Sequence, residues 1–108
     1  MKRKTIRNHR DFLTSPDNPS VMGLCFVVRV KPAQRKDPRY GIIASKHIFK
    51  NAVNRNRAKR LLRDWIAFNE DLMLPDMDYI FIAREPVLEC TREIGREKVA
   101  NALKKFLK

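Results

Sequence analysis

The chain has 108 residues, 44% of them hydrophobic, with a formal net charge of +12 and a pI near 10.3. Such a composition fits one domain with one modest core, too apolar for a disordered tail and too short for two cores. The charge implies an anionic partner, but no stretch approaches the roughly 18 apolar residues that span a membrane, and no apolar segment follows Met1-Lys2-Arg3-Lys4 to make a secretion signal.

Residues 1–13 set Lys2, Arg3, Lys4, Arg7 and Arg10 around Ile6, Phe12 and Leu13, a pattern that fits a short helix or an arm. Ser15-Pro16-Asp17-Asn18-Pro19-Ser20 is a turn-rich connection whose prolines cannot extend a helix. From Val21 to Val30 the residues are β-branched and aromatic, which predicts a strand, or a short strand leading into a longer one. Strand alternation there sets Phe26, Val28 and Val30 on one face and Val27, Arg29 and Lys31 on the other. A polar loop bounded by Pro32 and Pro38 leads to the next strand, Arg39 to Ser45. Cys25 and Cys90 lie in apolar settings far apart in sequence, with no Cys or His at ligand spacing, and read as buried free thiols of a cytosolic protein.

The next segment is the most informative. Between Lys46 and Arg63 there are seven Lys or Arg side chains and no acid. Setting Arg55 at zero and taking about 100° per residue, Ala58, Leu61, Leu62, Trp65, Phe68 and Leu72 fall between roughly 220° and 340°. On the same wheel Arg55, Asn56, Lys59, Arg60 and Arg63 occupy roughly 0° to 140°, and Arg57, near 200°, borders the apolar arc. A helix from about Asn51 to Leu72, ended by Leu74-Pro75, therefore has one face to bury and one that repels itself unless a polyanion lies against it. Solvated helix faces ordinarily mix signs, and here no acid appears before Asp64.

Residues 64–91 then carry seven acids against the single Arg84, so charge is segregated along the chain. Asp78 to Ala83 reads as a buried strand, and Thr91 to Lys108 as a helix with Ile94, Val99, Ala102, Leu103 and Phe106 on one side and Thr91 as N-cap. Helix or arm, two or three strands, helix, strand and helix make an α+β protein with helices covering one face of a small sheet.

Tyr40-Gly41-Ile42-Ile43-Ala44-Ser45-Lys46, followed by Ala52-Val53-Asn54-Arg55-Asn56-Arg57-Ala58-Lys59-Arg60-Leu61-Leu62-Arg63, resembles the signature of the bacterial ribonuclease P protein family. Asp78-Tyr79-Ile80-Phe81-Ile82-Ala83-Arg84 resembles the family's later strand, and Arg10-Asp11-Phe12 its opening. The likeness covers roughly Leu24 to Lys108 and departs after Phe12, where Pro16 and Pro19 interrupt a first helix that family members continue. It implies a two-layer sandwich in αβββαβα order, with a four-stranded sheet and a left-handed strand–helix–strand crossover, against the general right-handed rule. It further implies a monomeric cytoplasmic subunit that binds ribonuclease P RNA and the 5′ leader of precursor tRNA. The cleavage chemistry and its Mg2+ then belong to the RNA.

On this likeness Lys46, Arg55, Asn56, Arg57, Lys59, Arg60 and Arg63 are the expected contacts to the catalytic RNA, arginine being suited to bidentate phosphate binding. Phe12 is the expected leader contact. Phe26 fits either the core or a base stack on an open sheet face, and Arg29 and Lys31 line the same cleft if strand alternation alone decides. Trp65 is core. A nuclease acting by itself needs clustered carboxylates for metal ions, whereas the acids here are scattered, chiefly Asp71, Asp76 and Asp78 around a turn, and His9 and His47 have no evident orienting partner. No catalytic residue and no protein-bound metal is expected. A structural ribosomal protein would share size and charge but not the Arg-Asn-Arg helix.

Overall fold

In the computed structural model, which describes residues 2–33 and 36–107, the strand expected near Asp78 is the centre of the sheet. This strand, β5 (Met77–Ala83), pairs antiparallel with β3 (Phe26–Pro32) and parallel with β4 (Arg39–Ile43). A short β2 (Ser20–Met22) turns back onto β3, and β1 (Lys4–Thr5) runs parallel to β4, giving the order β1-β4-β5-β3-β2. Helix α1 (Ala52–Phe68) connects the parallel neighbours β4 and β5, and α2 (Arg92–Lys104) closes the chain.

Both helices cover one face of the sheet. Phe26, Val28, Val30, Tyr79, Phe81 and Ala83 point into a core shared with Ala58, Leu62, Trp65 and Ile66 of α1 and Val99 and Leu103 of α2. Trp65 is fully buried in the middle of it, as its place on the wheel predicts. The ring sits over Gly95 so closely that a Cβ there would overlap the indole, so the crossing of α1 and α2 depends on this glycine. Local sequence sets the helix ends. The Asn51 side chain accepts a hydrogen bond from Val53 N at 2.7 Å, and Thr91 Oγ1 accepts one from Ile94 N at 3.3 Å. Asn69 closes α1 by donating through Nδ2 to the carbonyls of Trp65 and Arg96, each at 2.9 Å, which also ties the helices together.

Several expectations are corrected. The sheet has five strands, not four, because the N-terminal arm adds β1, a two-residue strand that exists only by pairing with β4. The first helix is reduced to a four-residue 3-10 turn, His9–Phe12, capped by Asn8 Oδ1 accepting from Arg10 N at 3.0 Å. Leu13 is already extended, and a residue before proline such as Ser15 is biased away from helix. Helix α1 ends at Phe68 rather than Leu72. Phe68, at the edge of the apolar arc, is 63% exposed, with the Arg96 guanidinium 4.2 Å from its ring centre. The two cysteines, 65 positions apart, are free and lie with their sulfurs 2.7 Å apart. Burial, with the Cys90 sulfur adding to it, pushes the Cys25 thiol up to about 11.

Two outcomes follow from this packing. Gly95→Ala lowers the urea midpoint, because overpacking against Trp65 costs about 1–3 kcal/mol and exceeds the gain in helix propensity of about 1 kcal/mol; a raised midpoint would place the helices further apart. Iodoacetamide at pH 8 modifies half-buried Cys90 well before Cys25, read by peptide mass mapping, since thiolate is the reactive form; equal rates would contradict the burial of Cys25.

Candidate nucleic-acid interface

The second face of the sheet carries no helix, and the strand register writes its surface as three rows. Met22, Val27, Ile82 and Ile43 stand side by side in the first, and Ser20, Arg29, Ile80 and Gly41 in the second. Lys31, Asp78, Arg39 and Lys4 form the third. The N-terminal turn roofs the third row. Arg39 Nη1 donates to Asp11 Oδ2 at 2.9 Å, its Nη2 faces Asp78 Oδ2 at 3.5 Å, and its backbone N donates to Asp78 Oδ1 at 2.7 Å. Lys31 Nζ donates to the carbonyls of Asp11 and Leu13 at 2.5 and 3.0 Å. These bonds lay the Phe12 ring on Gly41, where any side chain would collide with it. The first row stays open, with Met22 exposed and Val27, Ile43 and Ile82 half-buried.

Phe12 is half-buried and joins Gly41, Ile42, Lys59 and Arg63 around a recess of about 270 Å³ between the sheet edge and α1. Arg29 is half-buried beside the open row. Two residues expected at the cleft are not there. Phe26 is 3% exposed and packs its ring 5.8 Å from that of Phe81, because its side of β3 is the helix-covered one. Lys31 lies on the second face but is 6% exposed, its ammonium consumed by the turn that covers its end of the strand. Conversely, Arg84 continues β5 in extended conformation (φ −114°, ψ 156°), so alternation after Ile80 and Ile82 carries it to the open face, where it is exposed. The period-two run Ile80, Ile82, Arg84 was the signal for it in the sequence.

On α1, Asn56, Arg57, Arg60 and Arg63 are exposed and Lys59 is half-buried, and no side chain of the five makes a hydrogen bond or ion pair among the described residues. Lys46 is exposed in the turn after β4. Arg55 differs, since its Nη1 donates back to the carbonyls of Phe49 and Lys50 at 2.8 and 3.4 Å and braces the loop entering the helix. The nearest acid on the helix, Asp64, is already paired with Arg96 at 3.1 Å. Asp78, one of the three acids around the turn, is buried against Arg39. The surface is therefore a row of unpaired cations adjoining an aromatic ring and an apolar floor, the combination that binds phosphates and bases of a nucleic acid.

Residues 1–107 match the family model described as Ribonuclease P. The chain is 38% identical over 104 residues to the ribonuclease P protein component of Lactobacillus delbrueckii subsp. bulgaricus, covering 94% of this chain and 86% of that one. It is 34% identical over 106 residues to that of Shouchella clausii, with 96% and 86% covered. Among solved structures, the ribonuclease P protein of Thermotoga maritima superposes with a TM-score of 0.80 at 28% identity, covering 98% of this chain and all of that one. The Staphylococcus aureus protein gives 0.77 at 30% identity, with 96% and 95% covered.

The two arginines at the ends of the basic face separate binding from bracing. Arg60→Ala weakens binding to a structured RNA and flattens the log–log salt dependence by roughly one unit without changing the melting temperature. Arg55→Ala lowers the melting temperature as well. Filter binding over a KCl series, with thermal melts alongside, checks both, and an unchanged salt slope for Arg60→Ala would reduce this face to a solvated one.

Proposed function

The chain belongs to the ribonuclease P protein family and serves as the protein subunit of that ribonucleoprotein endoribonuclease with ribonuclease P RNA as its partner; from that premise we propose that α1 docks the RNA while the open face of the sheet receives the 5′ leader of precursor tRNA. The observation that carries this reading is the recess shared by Phe12, Lys59 and Arg63. It makes the basic face and the open sheet one continuous surface, so an RNA bound to α1 has its substrate's leader within reach of the N-terminal turn.

The roles divide by chemistry. Arg57, Lys59, Arg60 and Arg63, with Lys46 and Asn56, supply charge and hydrogen bonds to the phosphates and 2′-hydroxyls of the catalytic RNA. Arg55 adds charge while its guanidinium braces the helix entry. Phe12 offers a stacking surface, and Arg29 and Arg84 flank the apolar floor. Stacking tolerates any base, which a leader of variable sequence requires. Such contacts raise the fraction of substrate held in register and leave the hydrolysis itself to the RNA, because binding energy spent on the leader distinguishes substrate from product. The protein acts as a monomer in the bacterial cytoplasm on this reading.

Reconstitution tests it. The purified chain added to a bacterial ribonuclease P RNA at low Mg2+ supports leader removal from precursor tRNA, and in that assembly Phe12→Ala weakens precursor tRNA binding by about 1–3 kcal/mol while mature tRNA, which lacks a leader, is bound as before. Equal losses for the two tRNAs would assign Phe12 to folding and move leader contact to the sheet.

A further inference from the structure

The N-terminal turn that carries Phe12 cannot hold itself in place. Four residues of 3-10 helix contain too few internal bonds to persist alone. Upstream the chain is fixed where Ile6 N donates to Tyr40 O at 2.7 Å, and downstream where Val30 N donates to Pro19 O at 3.0 Å. Between those points the side chains of β3 and β4 that hold the turn are Arg39, through the Asp11 carboxylate, and Lys31, through two backbone carbonyls.

The two anchors differ in what else they do. Arg39 also answers the buried Asp78 and hydrogen-bonds β4 to it, so its loss strikes the sheet. Both side-chain hydrogen bonds of Lys31 go to the turn, to the carbonyls of Asp11 and Leu13, on either side of Phe12. A lysine buried to this degree, 6% exposed as a residue, needs such acceptors for its ammonium, and backbone carbonyls fix the main chain rather than a rotatable side chain. With the Asp11–Phe12 and Leu13–Thr14 peptides held, the Phe12 ring is seated in the space that Gly41 leaves by having no side chain.

We propose that Lys31 is a positioning residue that sets the Phe12 ring at the leader cleft by gripping the backbone on both sides of it. The proposal rests on the reading of Phe12 as the leader contact. Removing the ammonium would free the ring to wander while the sheet and the basic helix remain, so the expected defect is selective for substrates with a leader. Gly41→Ala should give the same defect from the opposite side, by filling the seat while leaving the grip intact.

Two readouts separate the parts of this claim. The first is the 19F resonance of 4-fluorophenylalanine incorporated at position 12 of the full chain. The second is the ratio of precursor to mature tRNA affinity in the reconstituted holoenzyme. For Lys31→Met, which keeps the stem and removes the donor, the 19F signal moves toward its position in the urea-unfolded chain. The affinity ratio then falls by roughly 5- to 150-fold, as for Phe12→Ala. Lys31→Gln, whose amide cannot span both carbonyls, carries the same expectation should Lys31→Met not fold. Lys31→Arg, with donors enough for both carbonyls, retains most of the ratio. A 19F signal unchanged in folded Lys31→Met or Lys31→Gln overturns the positioning role, whatever Phe12→Ala does. A signal that moves while neither Lys31→Met nor Phe12→Ala alters the ratio upholds the positioning and overturns the leader contact.

Discussion

Asp78 is a carboxylate with no solvent exposure at the start of the central strand, and the open face of the sheet is organised by what that charge requires. A buried carboxylate is tolerable only if paired and hydrogen-bonded. Arg39 answers with its backbone N–H and its guanidinium, which aligns the ends of β4 and β5. The guanidinium has a second end, and the Asp11 side chain takes it. The N-terminal turn is thereby drawn across one end of the sheet, Lys31 is sealed beneath it, and the apolar row at the other end is left uncovered. The cleft exists because the roof covers the charged row and, through Phe12, Gly41 of the second row, and stops short of the apolar row.

The same logic explains how a chain of net charge +12 keeps its cations available. Five of the twelve acids are engaged by the fold. Asp11 and Asp78 meet Arg39, Asp64 meets Arg96, Asp37 meets Lys4, and Glu70 accepts from the backbone N–H groups of Lys2 and Arg3. None of these partners lies on the basic face of α1. That face therefore retains its like-charge repulsion in the free protein, a stress that a polyanion relieves on binding, with counterion release as the driving term.

Periodicity was readable from the residues where one element had a single environment along its length. The two faces of α1, the burial of Trp65, the burial of Val99, Ala102 and Leu103 on α2 and the strand pattern of β3 to β5 follow from spacing, whereas Ile94, grouped with them by the same spacing, lies at the exposed start of α2. What spacing could not convey was coverage. Alternation correctly groups Arg29 with Lys31, yet only the folded turn seals Lys31 and leaves Arg29 at the cleft. Phe26 could face either way until the helices were assigned a side. β1 has two residues and no signal of its own, since it is stable only as a partner of β4. Arg55 lies on the exposed arc, but its reach back to Phe49 depends on the path of the loop before the helix. The meeting of Cys25 with Cys90 is set by the tertiary path of the chain and has no local signature.

The central claim, that one surface holds the catalytic RNA at α1 and the leader at the N-terminal turn, is tested most directly by site-specific photocrosslinking in the assembled holoenzyme. p-Benzoylphenylalanine would be introduced separately at positions 12 and 56 and irradiated with precursor tRNA bound. The account predicts that position 12 crosslinks to the 5′ leader and loses that product with mature tRNA, whereas position 56 crosslinks to the ribonuclease P RNA with either. Crosslinks from position 12 to the catalytic RNA, or from position 56 to the leader, would contradict it.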